Sequence, residues 1–285
     1  MEDSFVTDPM AIQENLVDLS FQKSYLQRVY FWMSAGLLVS GSTAYMVFKI
    51  PWISRLILGN FLIFFGLLIV EVVLVVKLTN NIDILTPLQA REIYLLYTFI
   101  TGLTLSVIFF IYTEASIYSL FGVSAFVFGA MSLYGYTTDT DLSGVGNLLM
   151  TFVVGLIAAL LINLFLQSSQ FDFIISIIGV LTFSGLTAYD TQKLKRLSQG
   201  DLEVLNELGF SKDKNKEKSE NQTDVKSEGK AKSEKNPEKT KSPELIAAGS
   251  AAHKEPIIGA LILYLDFVNL FLYILRAMGD NNDND

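Results

Sequence analysis

Long apolar runs separated by short polar stretches dominate the chain. Read by length, they fall at Val29–Phe48, Leu56–Val76, Ile93–Tyr112, Ala115–Tyr134, Leu148–Leu166, Phe173–Tyr189 and Ile257–Leu275. A helix rises about 1.5 Å per residue and a bilayer core is about 30 Å thick, so runs of roughly 20 apolar residues are membrane-crossing helices. The pattern predicts an all-α membrane protein with seven transmembrane helices. Only Thr113 and Glu114 separate the third run from the fourth, which makes those two an antiparallel hairpin. The third run carries Thr98, Thr101, Thr104 and Ser106, whose hydroxyls can bond back to their own helix. In the fourth, Gly122, Ser124, Gly129 and Ser132 offer a small-residue face for another backbone.

The remaining segments are polar. Residues 1–28 read as a polar tail leading into an interfacial helix, without the basic stretch and short apolar core of a cleavable signal peptide. Transmembrane helices 1–6 occupy 29–196, residues 197–255 form a charged insert, 256–279 hold the seventh helix, and 280–285 are an acidic tail. Lys212 to Glu244 is mixed-charge and lacks aromatics, so it cannot bury enough apolar surface to offset its ordering entropy and is expected to be a disordered cytoplasmic loop. Lys23, Arg28, Lys77, Arg91, Lys193, Lys195 and Arg196 fall on one side of the membrane and Lys49, Arg55 and Arg276 on the other. That asymmetry predicts a cytoplasmic N-terminus and an outside C-terminus.

Composition narrows the chemistry. The 285 residues carry a net charge of −8 and a mean hydropathy of +0.42. The insert between Lys212 and Glu244 takes ten of the 21 basic residues but only eight of the 29 acidic ones, so the acidity belongs to the membrane part and the termini. An acidic protein lacks the basic footprint that nucleic acid requires and is compatible with cations. With no cysteine and a single histidine, His253, thiolate chemistry and multi-histidine metal centres are excluded within one chain. No cofactor is expected.

Three carboxylates lie at membrane depth: Glu71 in the second run, Asp190 at the end of the sixth, and Asp266 at the midpoint of the seventh. An ionisable group inside hydrocarbon is costly and marks a functional site by default. Each also has a plainer reading. Asp190 lies three positions before Lys193 and could be an interfacial ion pair, Glu71 lies six residues from Lys77 near the interface, and Asp266 could serve a structural hydrogen bond. Pairing the two aspartates meets a problem of depth. Asp190 lies about 7.5 Å from a helix end placed at Lys195, and Asp266 about 15 Å beyond Pro256. If tilt or an earlier start of the seventh helix removes that difference, two carboxylates in a low-dielectric site would share a proton and respond to pH. Rising pH would strip that proton, set the pair in repulsion and loosen helix six from helix seven. Such a site would also attract Ca²⁺, a hard cation that takes oxygen ligands.

At these residues the chain resembles the Bax inhibitor-1 family, also called the transmembrane Bax inhibitor motif family, and its bacterial members in particular. The stretches that carry the resemblance are Ile69-Val70-Glu71-Val72, Tyr134-Gly135-Tyr136-Thr137-Thr138, Ala188-Tyr189-Asp190-Thr191-Gln192 and Leu263-Tyr264-Leu265-Asp266-Phe267-Val268-Asn269-Leu270-Phe271. The resemblance implies six helices surrounding a central seventh and a pH-sensitive Ca²⁺ leak across what is expected to be a bacterial inner membrane. It also implies that Asp190 and Asp266 are the pH sensor and gate, able to meet Ca²⁺, and that Glu71 is a pore-lining acid. In some relatives an arginine at the inner end of helix two latches onto the aspartates. Here that region has no arginine, and Lys77 stands as a point-charge substitute without the bidentate geometry.

The expected partners are the lipid bilayer, Ca²⁺ and H⁺. Two other readings stay open. In one, the protein conducts nothing and regulates a protease or other membrane partner bound through residues 197–255. In the other, two aspartates activate water in an intramembrane enzyme, but no second catalytic motif accompanies them, so no enzymatic activity is expected.

Overall fold

Four of the membrane helices begin where a polar side chain caps them. The Asn60 carboxamide oxygen accepts from the backbone N–H groups of Leu62 and Ile63. Thr86 and Gln89 form a reciprocal capping box with Pro87 at the first helical position. Thr113 and Ser168 accept from Ser116 and Phe171 in the same way. At the other end, Gln167 adopts a left-handed conformation with φ 49° and stops one helix so that the next can start two residues later.

The structure is a computed structural model that describes residues 9–81, 84–199 and 243–279, with side chains described from residue 24 in the first helix and from residue 256 in the last. The elements are α1 (Pro9–Lys49), α2 (Pro51–Leu58), α3 (Phe61–Asn80), α4 (Pro87–Leu105), α5 (Ile108–Ile111), α6 (Glu114–Thr137), α7 (Ser143–Leu166), α8 (Ser169–Ser198) and α9 (Pro243–Met278). Among the described residues, seven spans are long and apolar enough to cross a membrane, as expected. Several boundaries differ. α1 is continuous from Pro9, so the polar tail and the first span share one helix. Pro51-Trp52 opens the short helix α2 instead of breaking the chain, and the second span consequently begins at Phe61. The third span is interrupted at Ser106-Val107, between α4 and α5. α9 starts at Pro243 and runs through Pro256. The disorder expected of Lys212–Glu244 falls almost wholly on residues outside those described.

α9 is the central helix. Its membrane span is 78% buried, against 6% for α3, and it packs against α8, α1, α6 and α4. α3 rests on α4 and α2, and α7 on α8, so these two have their remaining faces toward lipid. The fully buried side chains Tyr264, Leu263, Leu270 and Leu275 of α9 meet Tyr25, Val29 and Tyr94 in one core.

Glycine decides how closely two helices approach α8. A Cβ on Gly135 of α6 would sit 2.0 Å from the Ala188 carbonyl oxygen, and one on Gly146 of α7 would sit 2.5 Å from the Tyr189 ring. Both contacts fall on the residues just before Asp190. Gly122 and Gly129, part of the small-residue face expected on this helix, meet nothing within 4 Å; that face is closed only by the buried Ser124 and Ser132.

The loop from α6 to α7 is clamped onto α8. The Gln192 side chain accepts from Leu142 N–H at 3.0 Å and donates to the Thr140 carbonyl at 2.8 Å. Arg196 reaches Asp141 at 2.8 Å and Ser143 at 3.3 Å, and Lys195 donates to the Tyr136 carbonyl. The Asp141 carboxyl is held below the usual aspartate range by the Ser143 backbone N–H, the Ser143 hydroxyl and the Arg196 guanidinium.

Three outcomes follow. Gly135→Ala forces α6 away from rigid backbone on α8 and should destabilise the protein by about 1–3 kcal/mol in detergent unfolding, while Gly122→Ala is neutral within error. Gln192→Leu leaves a backbone donor and acceptor unpaired, and hydrogen exchange at residues 138–142 should accelerate about tenfold or more if each group costs roughly 1 kcal/mol or more. Because the Asp141 value is lowered on folding, its support for the clamp is present above the ordinary aspartate range and is lost as pH falls through and below it. Exchange in the loop, taken relative to the intrinsic amide rate at each pH, should therefore rise at acid pH in the wild type and lose that acid response in Asp141→Asn.

Candidate functional site

Asp190 and Asp266 come together. Asp190 is 7% exposed and Asp266 5%, and the two side chains lie within hydrogen-bonding reach of one another at the contact between α8 and α9. The depth difference reckoned from the ends of the apolar runs does not hold, because neither helix ends where its apolar run does. α8 continues to Ser198, eight residues beyond Asp190, and α9 begins well before Pro256. The second oxygen of Asp266, Oδ2, is buried and has no hydrogen-bond partner among the described residues. A buried carboxylate oxygen in that condition is an open acceptor, available to a proton, a water molecule or a cation.

Polar neighbours continue from α8 toward α1. Thr191 donates to the Ser132 hydroxyl at 3.1 Å, and Ser132 is hydrogen-bonded to the Tyr30 hydroxyl. A cavity of about 360 Å³ lined by Tyr30, Ser132 and Tyr136 opens beside this chain. Neither Tyr30 nor Ser132 was singled out by the sequence as part of a site. The hydroxyl next to a membrane-depth aspartate, Thr191, was the available signal for a polar neighbourhood.

Glu71 occupies a different place. It is half-buried on α3, and the Thr104 hydroxyl of α4 donates to it at 2.7 Å. The hydroxyl series of the third span bonds to its own helix as expected: Thr98, Thr101, Thr104 and Ser106 each reach a backbone carbonyl three or four residues earlier. Thr104 alone also bridges to a carboxylate. Around Glu71, the buried Tyr264 hydroxyl faces Ser40 and Thr101 without full hydrogen-bond geometry to any described group, and its ring packs edge-on to Tyr94 and Tyr97. Tyr264 and Asp266 are two residues apart, hence about 200° around α9. The central helix thus turns one polar group toward α4 and another toward α8.

Lys77 is exposed on α3 and makes no ion pair among the described residues. At the far end of the bundle, Arg276 of α9 forms a two-pronged ion pair with Asp172 of α8, and Asn163 of α7 donates to the same carboxylate at 2.8 Å. This cluster fixes the end of the central helix to the turn between α7 and α8. Sequence reading recorded Arg276 only as an outer-side charge. Among the described residues no group of three or more carboxylate or histidine side chains is arranged to hold a metal, so the pair offers an open acceptor, not a closed cation cage.

The family model described as "Inhibitor of apoptosis-promoting Bax1" matches residues 22–213. The inner membrane protein YbhL of Escherichia coli K12 is 37% identical over 258 residues, covering 90% of this chain and 92% of the relative. A protein of Borreliella burgdorferi is 33% identical over 270 residues, covering 94% and 96%. An uncharacterized membrane protein of Streptococcus pyogenes serotype M1 is 30% identical over 261 residues, covering 90% and 93%. The match spans the aspartate of α8, and the relatives match over nearly the whole seven-span chain: the protein belongs to the Bax inhibitor-1 family.

Proposed function

We propose that the protein is a pH-sensitive calcium leak of the bacterial inner membrane, with its N-terminus in the cytoplasm, gated by Asp190 and Asp266 and lined in part by Glu71. One observation carries the reading: two buried carboxylates from different helices lie in contact, and Oδ2 of Asp266 has no hydrogen-bond partner among the described residues. Two negative charges in that setting repel strongly, so the contact is stable while a proton is shared. Loss of the proton at higher pH sets α8 against α9. The separated carboxylates then meet a hard cation that favours oxygen ligands, with Ca²⁺ as the transported substrate. Glu71 offers a second carboxylate on the lightly packed helix α3, restrained by Thr104. No catalytic step is involved.

The test is Ca²⁺ entry into liposomes containing the full chain, followed from mildly acidic to mildly basic pH. Wild-type entry should rise with pH, and Asp190→Asn and Asp266→Asn should each flatten the profile. Glu71→Gln should lower entry at every pH without changing its shape. If both asparagine variants keep the wild-type profile, the pair is not the gate. If the wild type moves no Ca²⁺ at any pH, the regulatory, non-conducting reading replaces this one.

A further inference from the structure

A lateral cleft on the other side of the central helix has the dimensions of one lipid chain. It encloses about 300 Å³ between α1, α5 and α6, with Phe267 and Phe271 of α9 as its floor. Its lining is almost wholly apolar. Gly41 stands on the α1 wall, where a Cβ would meet nothing within 4 Å, and Leu38, also on that wall, is 74% exposed toward the bilayer. A cleft that opens sideways inside a membrane is filled from the hydrocarbon around it.

The two ends of the cleft differ. One wall from each side carries a tyrosine, Tyr45 on α1 and Tyr118 on α6, and these lead to a single ion pair. Lys49 donates to Glu114 at 2.9 Å, lies 5.1 Å from the Tyr45 ring centroid, and the Tyr118 hydroxyl donates to Glu114 at 3.3 Å. Lys49 is the last residue of α1 and Glu114 the first of α6, so each charge sits at the helix end whose dipole favours it. Their side chains are 48% and 39% exposed, reachable from the headgroup layer. From Lys49 to Leu38 is eleven residues of helix, about 16 Å, or half the hydrocarbon thickness. The cleft, lined on α1 from Leu37 to Tyr45, therefore lies within one leaflet, between the membrane midplane and that ion pair.

We infer that this cleft is a binding site for a phospholipid with a primary-amine headgroup, its acyl chain lying between α1 and α6 on Phe267 and Phe271. The adjacent cation and anion at the mouth match a headgroup that carries both signs. Lys49 takes the phosphate and Glu114 accepts from the ammonium, whose N–H donors a quaternary choline lacks. The site is independent of the aspartate pair and does not rest on ion conduction.

The experiment places the photo-crosslinker p-benzoylphenylalanine at position 38 in the full chain, reconstituted in vesicles of equal parts phosphatidylethanolamine, phosphatidylcholine and phosphatidylglycerol. The same group at position 165, on the lipid-facing side of α7 where Phe165 is 87% exposed, reports the bulk bilayer. Crosslinked lipids are identified by mass spectrometry. Position 38 should be enriched in phosphatidylethanolamine by about five-fold over position 165, the ratio expected of one exposed ion pair. Glu114→Gln should abolish the enrichment while crosslinking to lipid at position 38 persists, and Gly41→Phe should remove crosslinking there by filling the cleft. Equal lipid proportions at 38 and 165 overturn the proposal, as does enrichment that survives Glu114→Gln. If Gly41→Phe does not fold, the comparison of positions and the Glu114→Gln arm decide it.

Discussion

Putting a carboxylate at the middle of the innermost helix constrains everything around Asp266. Bulk solvent does not surround it there, because α9 is enclosed by α1, α4, α6 and α8. An isolated charge at that depth would cost several kcal/mol, so a stable fold has to supply a companion that accepts or shares a proton. Asp190 is that companion. Its presence requires α8 to lie against α9 at this level, and α8 can do so because Gly135 and Gly146 remove side-chain bulk from the neighbouring helices at Ala188 and Tyr189. The close packing of four helices is in this sense arranged around two acids.

The remaining polar groups follow the opposite rule. Thr98, Thr101 and Ser106 return their hydroxyl protons to backbone carbonyls, and Thr104 shares its own between a carbonyl and Glu71, which leaves little polarity facing the bilayer. Asp172 and Arg276 neutralise each other between α8 and α9. The contrast with Asp266 is chemical: those groups are satisfied by fixed neighbours, whereas one oxygen of Asp266 is left open. Conformational change is cheapest where satisfaction is incomplete.

Hydropathy alone located the seven spans, because a run of twenty apolar residues is a long and nearly unambiguous signal. It placed Asp190 and Asp266 on the two helices that meet, and Glu71 on a third. Helix ends were less legible. α8 passes through Lys193, Lys195 and Arg196, and α9 passes through Pro256, since the helical backbone does not stop where the apolar segment does. Contacts across the bundle were not legible at all. Nothing adjacent in sequence links Thr104 to Glu71 or Gln192 to the 140–142 loop. The close approach on α6 fell on Gly135, not Gly122 or Gly129, because which glycine faces a neighbour depends on the rotation of the helix about its own axis.

The Gln192 clamp has a mechanical meaning. Gln192 follows Asp190 by two residues, so the two side chains point to nearly opposite sides of α8. Spinning α8 to swing Asp190 away from α9 would drag Gln192 off both Leu142 and Thr140 and lift Arg196 from Asp141. The loop thus acts as a torsional stop. α8 keeps the freedom to tilt or slide with the loop carried along.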